Sequence, residues 1–250
     1  MTPMDRPVTS SPTQRAAKFV DSVVRLQPRL AVFDCDGTLW SGDSGEGFFS
    51  WELTRGVVSD ETVRWARQRY ADYKAGKVSE DDMCAEMATM HCGLTEAQVQ
   101  RAANQFVEEN FVTQIFPEMR ELVVRLRNSG CDVWAVSSTN EWVIRAAVKH
   151  CGIEEKNVLA VVVGVEDGRI TDHVLRVPSG AGKPKAIREV IGRDPDAAFG
   201  NSRFDVEMLV LAQHAFAVNP YADLEAKART QGWTVYWQDG TGRARVEAAL

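Results

Sequence analysis

Apolar and polar residues follow each other in blocks along this chain, and the blocks predict helices and strands in a definite order. A helical spacing of apolar residues covers residues 13–26, and a short apolar run at residues 31–33 predicts a first strand. From residue 41 to about residue 116 no strand pattern occurs. Three amphipathic helices are predicted there, over residues 46–55, 60–75 and 79–92, and a further helical stretch at 96–110 follows the last of them.

Strand and helix patterns alternate from residue 117 onward. The predicted strands are 131–136, 158–163, 197–200, 215–218 and 234–237, and the predicted helices are 117–128, 141–151, 185–191, 205–212 and 222–230. Strands that alternate with helices require crossover connections, so the pattern predicts an α/β fold with a mainly parallel sheet. A hairpin predicted at Asp167-Gly168 interrupts the alternation. The helical segment is then an insertion between the first and second strands.

The first predicted strand ends in two carboxylates, Asp34 and Asp36, which are followed by a glycine turn. Residues two positions apart in an extended chain point the same way, so both side chains can face one small volume. Open α/β sheets bind ligands at this end of their strands. Two like charges so close together cost free energy unless a cation bridges them or one carboxylate takes a proton, and both outcomes are chemically useful.

Three later positions in the alternating region also carry polar residues where a strand ends or a helix begins. They are Ser137 with Ser138 and Thr139 after the second strand, Lys183 near a helix start, and Asn201 with Asp205 after the strand at 197–200. A serine before a helix is often an N-cap, a role compatible with phosphate binding. A lysine at a helix start opposes the helix dipole, which slightly favours a functional role for Lys183. Lys185 is the competing candidate.

These four ordered motifs resemble those of the haloacid dehalogenase superfamily of aspartyl-phosphate hydrolases. The inserted helices resemble the cap of the first type, found in the phosphoserine phosphatase-like branch. The resemblance implies a Rossmann-like, doubly wound core over residues 29–40 and 117–250, a helical cap over residues 41–116, and an N-terminal tail and helix over residues 1–28. The chain departs from the family pattern at Asn201, where an acidic residue is usual.

The resemblance also implies catalytic roles. Asp34 would attack the phosphorus, and Asp36 would protonate the leaving alkoxide and then activate water. Ser137, Ser138 and Lys183 would bind the phosphoryl group and neutralise its developing charge. The implied activity is the hydrolysis of a small phosphorylated metabolite, a phosphomonoester, through an aspartyl-phosphate.

The implied cofactor is Mg²⁺, which prefers oxygen ligands and is commonly shared with a substrate phosphate. The ligands would be the Asp34 carboxylate, the Asp36 backbone carbonyl and the side chain of Asn201. Asp205 would hold a metal water or pair with Lys183. An amide oxygen carries no formal charge, so Asn201 should bind the metal more weakly than an aspartate.

Two alternatives to hydrolysis stay open. The same fold could carry a phosphotransferase or mutase, which differs only in the acceptor. The Asn201 substitution also allows a phosphate-ester-binding protein with little turnover. A metal titration with a generic aryl phosphate separates such a protein from an enzyme.

The helical segment bears on the substrate. Asp43 or Glu46 resembles an acidic residue that phosphoserine phosphatases use shortly after the first motif. Residues 78–100 contain neither Lys nor Arg. The segment 80–86 instead holds four acids, which favours a neutral or cationic group beside the phosphate over a carboxylate. The same acids would stabilise the first turn of any helix, so both interpretations stay open. His91 is expected to be a structural histidine.

Composition narrows the partners and the setting. The chain has 250 residues and a formal charge of −6, with no basic stripe, so nucleic acid and anionic membranes are not expected partners. No run approaches the roughly 18 apolar residues of a membrane span, and residues 1–14 lack the apolar region of a signal peptide. A cytoplasmic location is the expectation. The five cysteines lack Cys-x-x-Cys spacing, so we expect reduced core thiols.

Overall fold

The computed structural model describes residues 14–238, and within them one seven-stranded sheet forms the centre of the molecule. Its strands are β1 (Leu30–Phe33), β2 (Asp132–Asn140), β3 (Val158–Glu166), β4 (Arg169–Arg176), β5 (Ala197–Gly200), β6 (His214–Val218) and β7 (Thr234–Tyr236). They lie side by side in the order β4-β3-β2-β1-β5-β6-β7. All neighbours are parallel except the β3 and β4 hairpin.

Ten α-helices accompany the sheet in the described part of the chain. They are α1 (Gln14–Val24), α2 (Ser44–Glu52), α3 (Asp60–Lys74), α4 (Glu80–Thr89), α5 (Glu96–Asn110), α6 (Pro117–Asn128), α7 (Glu141–Cys151), α8 (Gly182–Val190), α9 (Val206–Leu211) and α10 (Ala222–Gln231). Residues 1–13 and 239–250, parts of the predicted tail and core, lie outside the described residues.

Strand β1 lies at the middle of the sheet because it is apolar on both faces and every one of its residues is buried. It pairs with β2 on one side and with β5 on the other, so that Phe33 lies beside Ala135 and Phe199. The chain order reverses at this point, and a crevice opens beyond the carboxyl ends of the three strands. The predicted Rossmann-like α/β fold is confirmed.

The sheet is covered on both faces. One apolar cluster contains Phe33 and Phe199, whose rings stack with centroids 4.1 Å apart, together with apolar residues of α1, α6 and α7. A second cluster joins Leu30 and Val32 to residues of α8, α9 and α10. Alternate residues of β1 thus point into two different cores, as a doubly wound sheet requires.

Two local predictions had different outcomes. The hairpin between β3 and β4 turns at Asp167 and Gly168, both with positive φ (50° and 74°), as a two-residue hairpin turn requires, and this prediction is confirmed. The predicted end of β2 at residue 136 was wrong. The strand continues to Asn140, because after a register shift Asn140 pairs with Val161 of β3.

The inserted helices α2 to α5 do not share one core. Phe106 of α5 and Phe48 of α2 belong to the large apolar cluster of the sheet, and α5 packs along α7. Helix α3 instead contacts a small separate cluster formed by Phe49, Leu53, Val58, Ala66 and Met90. The turn between α4 and α5 also bonds to the hairpin, since Gly93 N donates to Ile170 O at 2.8 Å.

The five cysteines differ in their burial. All five thiols are free, and Cys35, Cys131 and Cys151 are buried as expected. Cys84 is half-buried, and the core prediction was wrong for Cys92, which is exposed in the turn after α4. Among the described helices, none has both the length and the apolar character needed to span a bilayer.

Candidate active site

Asp34 lies immediately after β1, in the crevice between β2 and β5. Its backbone N donates to Phe199 O at 2.8 Å, which extends the pairing with β5 by one residue and fixes where the side chain begins. Its Oδ1 accepts from Lys183 at 2.7 Å and its Oδ2 accepts from Thr38 Oγ1 at 3.1 Å. Burial and the nearby charge of Asp205 raise the pKa of Asp34 to about 6, against the opposing effect of Lys183.

Lys183 is the cation of this site. It lies in the first turn of α8 and is 1% exposed. Its Nζ donates to Asp34 Oδ1, to Asp205 Oδ1 at 2.6 Å and to Val136 O at 3.0 Å, so all three protons are used. Burial alone would lower the pKa of Lys183, but the charges and hydrogen bonds of the two aspartates raise it. Lys185, the competing candidate, points to solvent beside Glu189.

Asp205 is the second carboxylate that contacts Lys183. Its Oδ2 accepts from the backbone N of Asn201 and of Ser202, both at 2.9 Å, and from Ser202 Oγ at 3.1 Å. Both oxygens of this carboxylate therefore have protein partners. Of the two roles expected for Asp205, the geometry shows the pairing with Lys183.

Asp36 is held by three donors. Its Oδ1 accepts from Trp40 Nε1 and from Ser44 N, both at 2.6 Å, and its Oδ2 lies 3.2 Å from Thr139 Oγ1. Burial and the nearby charge of Asp43 raise the pKa of Asp36 to about 7, although its hydrogen bonds favour the ionised form. A carboxyl group that titrates near neutral pH is suited to give and take protons.

The extension of β2 brings hydroxyl groups to the crevice. Ser137 is 2% exposed, and its Oγ accepts from Thr139 N at 3.1 Å, while Ser138 is half-buried. The helix cap that follows is Asn140, whose Oδ1 accepts from Val143 N at 3.1 Å. Because Asn140 caps α7, the Ser137 and Ser138 hydroxyls are not needed for that purpose.

Asn201 meets the turn that follows the two aspartates. Gly37 has a φ of +76°, and a Cβ placed there would lie 1.8 Å from Asn201 Nδ2. Only glycine leaves room for the amide beside this turn. The described residues hold no group of three acidic, histidine or cysteine side chains placed for a metal. The residues expected to bind a metal offer one carboxylate, Asp34, with the Asp36 carbonyl and the Asn201 amide oxygen, and such an all-oxygen set suits Mg²⁺ better than a soft metal.

Acidic and aromatic residues of the inserted helices surround the mouth of the crevice. Asp43 is the N-cap of α2 and accepts from Glu46 N at 2.8 Å. Desolvation by the surrounding protein, followed by the charges of Glu46 and Glu80, raises the pKa of Asp43. Tyr73 OH donates to Glu80, and Lys74 Nζ lies 3.9 Å from Glu46. The two specificity candidates, Asp43 and Glu46, thus lie close together at this rim.

Other charges of the segment are paired away from the mouth. Glu86 accepts two hydrogen bonds from Arg69 at 2.6 and 2.8 Å, so this acid does not act as a free negative charge. His91 is fully buried, with Nε2 2.6 Å from Glu52 Oε2 and Nδ1 3.0 Å from Ala88 O. Its expected structural role fits these contacts.

Sequence reasoning did not assign Thr38, Trp40 or Thr139 to the support of the two carboxylates. Trp40 and Thr38 lie within six residues of Asp34, and the Gly-Thr-Leu turn was itself a signal for the threonine. Thr139 lies 103 residues from Asp36 in the chain, so only the pairing of β1 with β2 brings them together.

The fold and this arrangement define a class of α/β enzyme in which a pair of carboxylates follows the central strand of a parallel sheet. The family model described as haloacid dehalogenase-like hydrolase matches residues 31–210. The chain therefore belongs to this family of hydrolases, and the resemblance of its motifs is confirmed.

Two relatives agree with this membership, and a solved structure shares the fold. A histidinol-phosphatase of Neisseria meningitidis serogroup C (strain 8013) is 27% identical over 217 residues, covering 82% of this chain and 97% of that protein. The phosphoserine phosphatase SerB1 of Mycobacterium tuberculosis (strain ATCC 25618 / H37Rv) is 26% identical, covering 93% of this chain and 80% of that protein. A protein of unknown function from Bordetella pertussis Tohama I has the same fold, with a TM-score of 0.74 at 20% identity, covering 83% of this chain and 97% of that one.

Proposed function

We propose that this protein is a Mg²⁺-dependent phosphomonoester hydrolase that acts on a small phosphorylated metabolite through an aspartyl-phosphate on Asp34. The observation that carries the proposal is the pair of carboxylates with unlike surroundings. Asp34 contacts the Lys183 cation at 2.7 Å, whereas the three donors to Asp36 within residues 14–238 are neutral, and burial raises the pKa of both carboxyls. One carboxylate is thus suited to attack and the other to carry a proton.

The first step joins the substrate phosphorus to an Asp34 oxygen. As that bond forms, the bond from phosphorus to the ester oxygen breaks, and Asp36 gives its proton to the leaving alkoxide. Ser137, Ser138 and Lys183 would hold the phosphoryl oxygens, the two serines through hydroxyl donors and the lysine through its charge. Since Lys183 also binds Asp34, it can orient the nucleophile toward the bound group.

The second step releases phosphate. Asp36, now ionised, takes a proton from a water molecule as the water oxygen bonds to phosphorus, and the bond to Asp34 breaks. The enzyme returns to its starting state with Asp36 protonated. Asp34, the Asp36 carbonyl and Asn201 would hold Mg²⁺, which supplies charge neutralisation for the phosphoryl oxygens when bound.

We further propose that the inserted helices, residues 41–116, are the cap and select the group attached to the phosphate. Asp43, Glu46 and Glu80 form an acidic rim at the mouth of the crevice, and Lys74, 3.9 Å from Glu46, offsets one of these three charges. A rim of this charge favours an ammonium group and repels a second carboxylate in a confined site. Two relatives are named for amino-alcohol phosphates, histidinol phosphate without a carboxylate and phosphoserine with one. The acidic rim favours a substrate that has no carboxylate beside its phosphate.

The test compares metal-dependent phosphate release from four esters: phosphoethanolamine, histidinol phosphate, phosphoserine and 4-nitrophenyl phosphate. We expect release to require Mg²⁺, with a higher kcat/KM for the first two than for phosphoserine. A preference for phosphoserine contradicts the electrostatic role of the rim but not hydrolysis. Binding of the esters without release contradicts the hydrolase proposal, and transfer to an added alcohol instead of water indicates a phosphotransferase.

The rim has a matched pair of variants. We expect Asp43→Asn to reduce the preference for phosphoethanolamine over phosphoserine, because it removes one charge from the mouth. Asp81→Asn removes an equal charge from the exposed side of α4, so the preference should not change. Equal effects of both variants contradict a specific role for Asp43.

A further inference from the structure

The side chain of Trp40 is directed at the carboxyl group proposed above as the general acid. The residue is fully buried, and its indole Nε1 donates to Asp36 Oδ1 at 2.6 Å. Its ring is held edge-on against Phe111, with centroids 6.3 Å apart, and its backbone O accepts from Gly37 N at 2.8 Å. The direction of the indole N–H is therefore set by the surrounding packing.

The two oxygens of Asp36 have different partners. Oδ1 receives two N–H donors, Trp40 Nε1 and Ser44 N, and neither group can accept a hydrogen bond. A proton on Oδ1 would meet two other hydrogens and has no acceptor there. The acid proton therefore belongs on Oδ2.

Thr139 is the protein partner of that second oxygen. Its hydroxyl lies 3.2 Å from Oδ2 and can either donate or accept, so it suits both the ionised and the protonated carboxyl. The Thr139 backbone is fixed by its bond to Ser137 Oγ at 3.1 Å. A Cβ on Gly45 would lie 2.8 Å from Thr139 Oγ1, so the glycine in α2 leaves the space that the hydroxyl occupies.

We infer that Trp40 and Thr139 are positioning residues for proton transfer by Asp36. Trp40 anchors the carboxyl through Oδ1, and Thr139 aligns the proton on Oδ2 with the ester oxygen of the substrate. In the first step the Oδ2–H bond breaks and its proton joins the leaving alkoxide. In the second step Oδ2 regains a proton from the attacking water. The inference rests on the proposed function.

The test uses Trp40→Phe, which keeps an aromatic ring and removes the N–H donor. An alkyl phosphate such as phosphoethanolamine has a poor leaving group and needs the proton, whereas 4-nitrophenolate leaves without one. In single-turnover measurements we expect Trp40→Phe to slow transfer from the alkyl phosphate by about 10- to 100-fold. The first release of 4-nitrophenol should change less than threefold, and KM for both esters should stay near that of the native protein.

Trp134→Phe is the matched control. The Trp134 indole N–H is buried and has no hydrogen-bond partner within residues 14–238, so its removal breaks no bond to a catalytic group. Both esters should react with this variant as with the native protein. Equal slowing of both esters by Trp40→Phe, or no slowing of the alkyl ester, overturns the inference.

Thr139 offers a test that does not depend on the tryptophan. Thr139→Val removes the hydroxyl at almost constant volume, and Thr139→Ser restores it. We expect Thr139→Val to slow transfer from alkyl phosphates selectively, as Trp40→Phe does, and Thr139→Ser to recover most of the native rate. If Thr139→Ser is as slow as Thr139→Val, Thr139 has a packing role and the inference is contradicted.

One readout needs no turnover. The indole N–H of Trp40, identified by its absence in Trp40→Phe, should give a downfield proton resonance that exchanges slowly with solvent. A resonance at an ordinary position with fast exchange overturns the hydrogen bond to Asp36. If the native protein releases phosphate from none of the four esters, the proposed function fails. If the native protein is active but the ratio of the two esters is unchanged in Trp40→Phe, the inference alone fails.

Discussion

Gly37, in the turn after β1, lies directly against the side chain of Asn201, which follows the end of β5. The Asn201 amide nitrogen lies 1.8 Å from the position that a Cβ of residue 37 would take. The turn therefore depends on glycine, and the amide is confined beside the two aspartates. Aspartate has the same shape as asparagine, so exchange of one for the other at residue 201 changes the charge of the site with little change in packing.

We expect Asn201→Asp to tighten Mg²⁺ binding by roughly tenfold or more, the scale on which metal affinity responds to altered partners. A formal negative charge would replace a neutral amide in an oxygen shell. Calorimetric titration measures the effect. Asn104→Asp adds the same charge on α5, where Asn104 accepts from Lys149, and should leave the affinity unchanged. If Asn201→Asp binds Mg²⁺ with the same dissociation constant as the native protein, residue 201 is not a ligand.

Asp34→Asn should lower kcat by about a thousandfold or more, because the variant lacks the nucleophile. The fold should persist, since the amide oxygen can still accept from Thr38 and Lys183 keeps Asp205 as its partner. Steady-state kinetics and thermal unfolding are measured together. Asp172→Asn, at an exposed position of β4, is the control for loss of one carboxylate. Near-normal hydrolysis by Asp34→Asn would contradict the mechanism.

Lys183→Met should destabilise the protein by about 3–5 kcal/mol at pH 8, the typical effect of removing one partner from a buried ion pair. Two buried carboxylates would then face each other without a cation. Lys185→Met, only two residues away but exposed, should change the free energy of unfolding by about 0.5 kcal/mol or less. Urea unfolding of both variants decides the matter, and equal stability would contradict the burial of the lysine charge.

The pKa of Asp36 predicts a pH dependence of stability in the metal-free protein. Burial and Asp43 raise its pKa from 3.8 to about 7, so the folded state keeps a proton that the unfolded state releases. This stabilisation is complete below about pH 4 and is lost as the pH rises through 7. We therefore expect Asp36→Asn to be more stable than the native protein at pH 8.

The measurement is urea unfolding from pH 4 to 8 in the presence of a chelator. The stability advantage of Asp36→Asn should shrink steadily toward pH 4. The pKa of Asp34 is also raised, to about 6, and this affects the native protein and Asp36→Asn alike. Only the difference in stability between these two proteins therefore reports on Asp36. Parallel curves for both proteins would contradict the raised pKa.

Local signals fixed several elements well, and their bounds show why. Helix α6 begins at Pro117 and ends at Asn128 as predicted, because proline suits the first helical position and Gly130 adopts the positive φ that follows a helix end. The family membership and the fold class were also predicted and are confirmed. The length of β2 was not, because its last residues are held by pairing with β3, which no local pattern reveals.

In the candidate site, too, some contacts could be predicted from the sequence and others depend on tertiary packing. Asp34 and Lys183 were expected to lie together, since both stand at the carboxyl edge of a parallel sheet, and they are 2.7 Å apart. The pairing of Glu86 with Arg69 was not foreseen, and it corrects the interpretation of four free acids in the segment 80–86. That contact depends on the angle at which α3 crosses α4. Helical periodicity shows which residues share a face but not how two helices cross.

The divided packing of the inserted helices determines which of them is held least firmly against the sheet. Helix α5 belongs to the large core and the turn at Gly93 is bonded to the hairpin, so these parts cannot separate from the sheet without breaking extensive apolar contacts. Helix α3 rests on a cluster of only five buried residues. Any motion of α3 away from its neighbours would break fewer apolar contacts than a motion of α5, but it would also break the Arg69–Glu86 ion pair and the Tyr73–Glu80 hydrogen bond to α4. Helix α3 is therefore the inserted helix whose displacement costs the least apolar burial, and the two polar contacts to α4 set the remaining cost.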